Sequence, residues 1–216
     1  MSGLLRRWFG APAAPAPARW IVLDVESSGL DPQHDRLLAI AALAVQVDGG
    51  RPLLRPADSF EVLLRQTEAE ARPDKDNILV HGIGVGAQRE GLDPRQALAA
   101  FEAFIGDAPL VAFHAGFDRV LIQRHLRAVC GRRLPNAWLD LADLAPVLCP
   151  VVRAHALDDW LAHFAITVAV RHQAAADTWA TAELLQRLWP LARAQGCAGN
   201  FDALARLAAS RRWLTG

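Results

Sequence analysis

Apolar residues fall first in short β-branched runs and later at helical spacing. Trp20 to Glu26 is rich in Ile, Val and Leu, and residues 37–47 form a second such run. The turn-formers Gly29 and Asp31-Pro32 lie between them, so the two read as neighbouring strands. A third strand is expected over 60–64, and the charged, proline-containing stretch 66–77 reads as a loop. Asp93-Pro94 has the chemistry of a helix start: the aspartate can accept first-turn amides and the proline presets φ. Phe101, Phe104 and Ile105 follow on that helix, and the wholly apolar Leu110 to Phe113 reads as a buried strand entering another helix near Ala115. Beyond it helical spacing covers 117–129, 138–148, 156–164, 173–189 and 200–209, broken by Gly131, Pro150, Pro190 and Gly196. Strands first, helices later and a buried strand between helices predict a three-layer α/β domain, with no internal repeat.

Composition narrows this picture. The chain has 216 residues, 52% hydrophobic and 21% charged, enough apolar material for one full-sized domain. Residues 1–19 hold Leu4-Leu5-Arg6-Arg7-Trp8-Phe9 and then an Ala/Pro stretch, so a flexible N-terminal extension over 1–19 and a single domain over 20–216 are expected. No window approaches the roughly 18 apolar residues of a membrane span, and no signal-peptide core is seen, so a cytoplasmic location without membrane contact is expected. Cys130, Cys149 and Cys197 are odd in number and widely spaced, which suggests neither a disulfide framework nor a zinc ribbon. A zinc site from Cys149, His155 and His163 lacks paired spacing. Basic and acidic residues number 23 each, so the net charge offers no general footprint for duplex nucleic acid.

Three constellations can carry chemistry. Asp24 and Glu26 stand two apart on a strand otherwise built of Ile21, Val22, Leu23 and Val25, so strand geometry aims both carboxylates at one face. Two carboxylates side by side at an apolar strand end call for a cation or strong donors. Alternatively, Glu26 caps the Ser27-Ser28-Gly29 turn and Asp24 meets an arginine. Gly29 permits a close backbone approach, and the amides there could cradle a phosphate. Asp118 follows the buried strand in Phe113-His114-Ala115-Gly116-Phe117-Asp118, at the kind of strand-helix junction where α/β sheets build sites; helix capping alone also explains it. Phe117 is expected to be core. His172 precedes Asp177 by five; on a helix that spacing separates side chains by about 140°, so His172 must sit in the preceding loop if the two converge.

Taken in order, Asp24-x-Glu26 with Ser27-Ser28-Gly29-Leu30, Phe117-Asp118 after a strand, and His172 five before Asp177 resemble the histidine branch of the DEDD exonuclease superfamily. That group includes the proofreading epsilon subunit of bacterial DNA polymerase III, ribonuclease T and oligoribonuclease. His81-Gly82-Ile83, Trp138-Leu139-Asp140-Leu141 and Leu157-Asp158-Asp159-Trp160-Leu161 are similar to its linking segments, so the resemblance covers roughly residues 19–190. The tyrosine branch is excluded because the chain has no tyrosine. Two departures stand out: Phe113-His114 where many members carry His-Asn, and Ser27-Ser28 where they carry Thr-Thr.

The resemblance implies a ribonuclease H-like fold, a central mixed sheet flanked by helices. It implies a 3′-to-5′ exonuclease releasing 5′-mononucleotides from DNA by a two-metal mechanism, in replication proofreading or repair. Asp24, Glu26, Asp118 and Asp177 would hold two divalent cations, Mg2+ or Mn2+, and His172 would act as the base. Ser27, Ser28, Gly29, Leu30, His114 and Phe117 would contact the substrate, with His114 either hydrogen-bonding or merely packing. Arg119, Arg124, Arg127, Arg132 and Arg133 would either help contact phosphates or form an ordinary solvated face, and the second reading is preferred. The implied partners are a single-stranded or frayed nucleic-acid 3′ end and a DNA polymerase complex. An exoribonuclease of the same superfamily and a non-catalytic polymerase-associated scaffold are the alternatives.

Overall fold

A computed structural model describes residues 18–47, 50–68, 82–168, 172–197 and 199–211. Its sheet has the order β3-β2-β1-β4-β5, formed by β1 (Ala18–Ser27), β2 (Leu37–Val47), β3 (Leu53–Leu63), β4 (Leu110–Ala112) and β5 (Trp138–Asp140). β1 pairs antiparallel with β2 and β2 with β3, while β1–β4 and β4–β5 are parallel. The helices are α1 (Val85–Glu90), α2 (Pro94–Ile105), α3 (Ala115–Cys130), α4 (Leu141–Leu148), α5 (Leu157–His163), α6 (Ala174–Ala194) and α7 (Phe201–Ala209).

Alternation along β1 explains the layers. Trp20 and Val22 face one cluster, built with α4, α5, α6 and α7, while Ile21, Leu23 and Val25 face another, built with α2 and α3. Because both faces are covered, residues 20–23 and Val25 of β1 and every residue of β2 except Gln46 are apolar and buried. Trp20 anchors the first cluster, with ring edges meeting Trp189 at 5.7 Å and Phe201 at 5.0 Å. The mixed sheet between two helical layers is the expected ribonuclease H-like α/β architecture.

Several boundaries differ from the sequence expectation, each for a physical reason. β3 starts at Leu53, not at residue 60, because it is an exposed edge strand in which Pro56 breaks the apolar pattern that marks a strand. Residues 138–140 are strand, not helix: β5 is three residues long, too short for periodicity to register, and its pairing with β4 decides it. Helix α6 runs through Pro190 to Ala194, held by the buried Leu188, Trp189 and Ala192 that flank the proline. Helix α1 was not anticipated. The extension expected over 1–19 falls outside the described residues up to 17, but Ala18 and Arg19 belong to β1. There Arg19 pairs with Asp58 at 2.9 Å and lies over the Phe104 ring. Most of the 66–77 loop, and His81, lie outside the described residues.

Candidate active site

Asp24 and Glu26 continue the row of Trp20 and Val22 beyond the apolar core, on the side where α6 packs. β4 pairs with β1 only at Ile21 and Val22, so the outer end of β1 extends past its neighbour and leaves space beside it. Into that space come Asp118 from the first turn of α3, in one layer, and Asp177 from the first turn of α6, in the other. β1, β4 and β5 all run parallel, and the site lies at their carboxyl ends, where open α/β sheets bind ligands.

One cavity of about 640 Å3 is lined by Asp24, Glu26, Asp118, Asp177 and His172, together with Leu30, Phe113, His114, Phe117 and Asp140. The five side chains expected to carry chemistry therefore line one cavity, although they come from three separate stretches of chain. A second cavity meets it at Glu26 and is lined by Gly82, Ile83 and Leu92.

Burial sets the electrostatics. Asp118 is 4% exposed and Asp177 6%. Burial pushes the Asp118 carboxyl up to about 8, and the charges of Asp140 and Glu26 add to it, while the amides of Asp118 itself and Val25 oppose the shift. Asp118 is thus a buried group whose ionised form is only partly compensated by backbone amides, not a surface helix cap. Asp140 is also raised, chiefly by burial and then by Asp143, against the opposing amides of Ala142, Ala115 and His114.

His172 is exposed, in the left-handed region at φ 61°, just before α6 begins. Its amide donates to Asp177 Oδ2 at 3.1 Å. His114 is also exposed and left-handed, with φ 63°, a region that Asn, Asp and His enter more readily than other side chains. Its ring meets Phe113 edge-on at 4.8 Å.

Some expectations need correction. Phe117 is half-buried: it packs against the α2–α3 core cluster, as expected, and also lines the cavity. Ser27, Ser28 and Gly29 are not on the cavity wall; they tie their own loop together. Ser27 Oγ donates to Gly29 O, Ser28 Oγ donates to Asp35 Oδ1 at 3.1 Å, and a Cβ on Gly29 would meet the Asp35 carboxylate at 2.5 Å. The close approach that glycine permits is therefore made by Asp35. The loop presents Leu30, 94% exposed, at the cavity. Arg124 is not a solvated arginine: it donates to the carbonyls of Pro32 and Asp35 and pins this loop to α3. Arg132 pairs with Glu102 at 2.6 Å. Sequence pattern places Asp140 only within a linking segment; its signal is an acidic residue between a short apolar run and a helix.

Among the described residues, no three His, Cys, Asp or Glu side chains converge as a ready-made metal cage, around Cys149 or elsewhere. Among the described residues, no helix is long and apolar enough to cross a membrane.

A profile described as Exonuclease, of the RNase T type, matches residues 21–185. The chain belongs to this exonuclease family. Its DEDD-superfamily resemblance is thereby upheld. The chain is 31% identical over 181 residues, 82% of its length, to a DNA polymerase III subunit epsilon-like protein of Rhodobacter capsulatus. It is 29% identical over 173 residues, 79% of its length, to the PolC-type DNA polymerase III of Halalkalibacterium halodurans. The match spans 24% of the first relative and 11% of the second, so the chain corresponds to a minor part of either. Among solved structures it is similar to exonuclease X in complex with 5′-overhanging duplex DNA, with TM-score 0.63 and 20% identity over 88% of this chain and 99% of that one. It is also similar to E. coli exonuclease I in complex with a dT13 oligonucleotide, with TM-score 0.66 and 16% identity over 83% of this chain and 42% of that one. These two likenesses concern the fold.

Proposed function

We propose that this exonuclease removes mononucleotides from the 3′ end of single-stranded or frayed DNA, with Asp24, Glu26, Asp118 and Asp177 holding divalent cations and His172 serving as general base. The observation that carries the reading is the meeting of four carboxylates and one histidine, from the sheet and both helical layers, around a single cavity. DNA, rather than RNA, is favoured by the relatives named as DNA polymerase III components, and the same names support the proposal that it works beside a polymerase.

The residues present suit magnesium or manganese. The acidic groups on the wall are all carboxylates with no thiol among them, the hard oxygen donors those ions take. Asp118, whose ionised form burial opposes, is a group that a neighbouring dication would stabilise as a carboxylate. When bound, such cations neutralise the phosphate and favour an in-line displacement at phosphorus.

The chain's own groups do the rest. His172, outside the helix and exposed on the cavity wall, is free of the core to take a proton from the attacking water. Asp177 fixes the backbone from which that imidazole projects. Leu30 offers an exposed apolar surface to the terminal base, and Phe117 and Phe113 line the wall on which a base can stack. His114 sits on the same wall.

The test is to incubate 5′-labelled single-stranded DNA with the protein and magnesium, beside a chelator control and an Asp24→Ala variant. A ladder shortening one nucleotide at a time from the 3′ end supports the reading. Uncut strands, internal cuts, or faster shortening of matched RNA would replace it.

A further inference from the structure

Asp140 closes β5 and stands half-buried on the wall of the active-site cavity, yet no part of the proposed chemistry uses it. Its Oδ1 accepts two amides. One is that of Ala142 at 2.9 Å, which caps α4; the other is that of His114 at 2.9 Å, which lies 26 residues earlier in the chain. A single oxygen thus joins the β4–α3 turn to the β5–α4 turn, at the carboxyl ends of adjacent parallel strands.

What it holds is strained. His114 has φ 63° and ψ 43°, and its own side chain makes no capping bond to α3. An L-residue persists in this region only where surrounding contacts hold it there. Asp118 follows four residues later, in the first turn of the helix that this residue opens. A change at His114 therefore redirects both its own ring and the start of the segment that carries Asp118.

We infer that Asp140 is a positioning residue: its Oδ1 locks the left-handed turn at His114 and thereby sets where the His114 ring and the Asp118 carboxylate stand in the cavity. The inference rests on the proposed nuclease reading for its functional part. The clamp needs an acceptor oxygen, not a charge, and an asparagine carbonyl supplies the same acceptor. That separates positioning from any electrostatic role of the carboxylate.

The full chain is compared with Asp140→Ala, Asp140→Asn and Asp93→Ala. The last removes a comparable cap, the bond from the Arg95 amide at 3.1 Å, from α2 and away from the cavity. Three quantities are read: hydrogen exchange of the His114 amide in cation-free protein, the thermal midpoint, and the rate of shortening of labelled DNA in manganese. Asp140→Ala is expected to speed His114 exchange and slow cleavage by about tenfold or more, since small misplacements near reacting groups cost up to a hundredfold. Asp140→Asn is expected to stay within about threefold of wild type in both, and Asp93→Ala to lose thermal stability without losing rate. In a His114→Gly background, where left-handed backbone is unstrained, Asp140→Ala is expected to cost less than threefold. That last comparison also serves if the single variant folds poorly.

Equal losses in Asp140→Asn and Asp140→Ala would overturn the inference, because charge would then be what matters. Unchanged His114 exchange in Asp140→Ala would overturn it too. A wild-type protein that shortens no strand defeats the nuclease reading instead, while His114 exchange still reports on the clamp.

Discussion

The backbone amide of His172 donates to Oδ2 of Asp177 at 3.1 Å, across the entrance of α6. This bond gives the five-residue spacing its physical meaning. His172 lies outside the helix at φ 61°, so the two side chains reach one cavity instead of diverging around a helical surface. Asp177→Ala is expected to loosen the His172 backbone, seen as faster amide exchange, whereas Asp177→Asn keeps an acceptor and the protection. Equal exchange in both variants would mean that the bond does not hold the histidine.

Stability should fall with rising pH. The Asp118 carboxyl has an ordinary value of 3.8 and is pushed up to about 8 by burial in the folded chain. Between those values the folded protein keeps a proton that the unfolded chain has released, so stability present at pH 4 is lost as pH rises through about 8. In cation-free protein the thermal midpoint is expected to decline from pH 5 to 8.5, and Asp118→Asn to flatten the decline while abolishing cleavage. A wild-type profile that is level, or rises, contradicts the burial argument.

Cations and protons then compete for one carboxylate. Millimolar magnesium or manganese is expected to raise the thermal midpoint more at pH 8 than at pH 5, and a chelator to reverse the gain. Equal gains at both pH values would mean that Asp118 takes no part in binding.

Much of this was legible in the sequence because buried strands and paired carboxylates follow simple periodicities. Residues 37–47 form β2 with the bounds their apolar run marks, and Asp24 and Glu26 share a face because strands alternate. Less was legible where pairing or hydrogen bonds between distant residues decide. Trp138-Leu139-Asp140 becomes a strand only through β4, and Asp140 matters through an amide 26 residues away. Pro190 marks a helix end on local grounds, yet packing carries α6 through it. Phe117 reads as core and does pack on the α2–α3 cluster, but the open end of β1 also leaves it on a cavity wall. The serines hold their own loop through hydrogen bonds that no sequence pattern marks.

Leu30 and Gly29 separate substrate contact from loop order. Leu30→Ala removes an exposed side chain, so stability should change by less than about 0.5 kcal/mol, while KM for a short strand rises several-fold with kcat nearly unchanged. Gly29→Ala drives a methyl against the Asp35 carboxylate, which accepts from Ser28 and from the Asp31 amide at 2.7 Å. Displacing it is expected to destabilise by about 1–2 kcal/mol and to lower activity through Leu30. A Gly29→Ala protein with wild-type melting would contradict the packing seen at that turn.

The account depends on Asp24, Glu26, Asp118, His172 and Asp177 working as one unit, and single-turnover cleavage of 5′-labelled DNA in magnesium tests this through single and double alanine variants. Each single variant should lose roughly a thousandfold or more, and Asp24→Ala combined with His172→Ala should be no slower than the slower of the two, because groups acting together are not additive. Losses that multiply in the double variant, or any one of the five variants cutting at the wild-type rate, would contradict it.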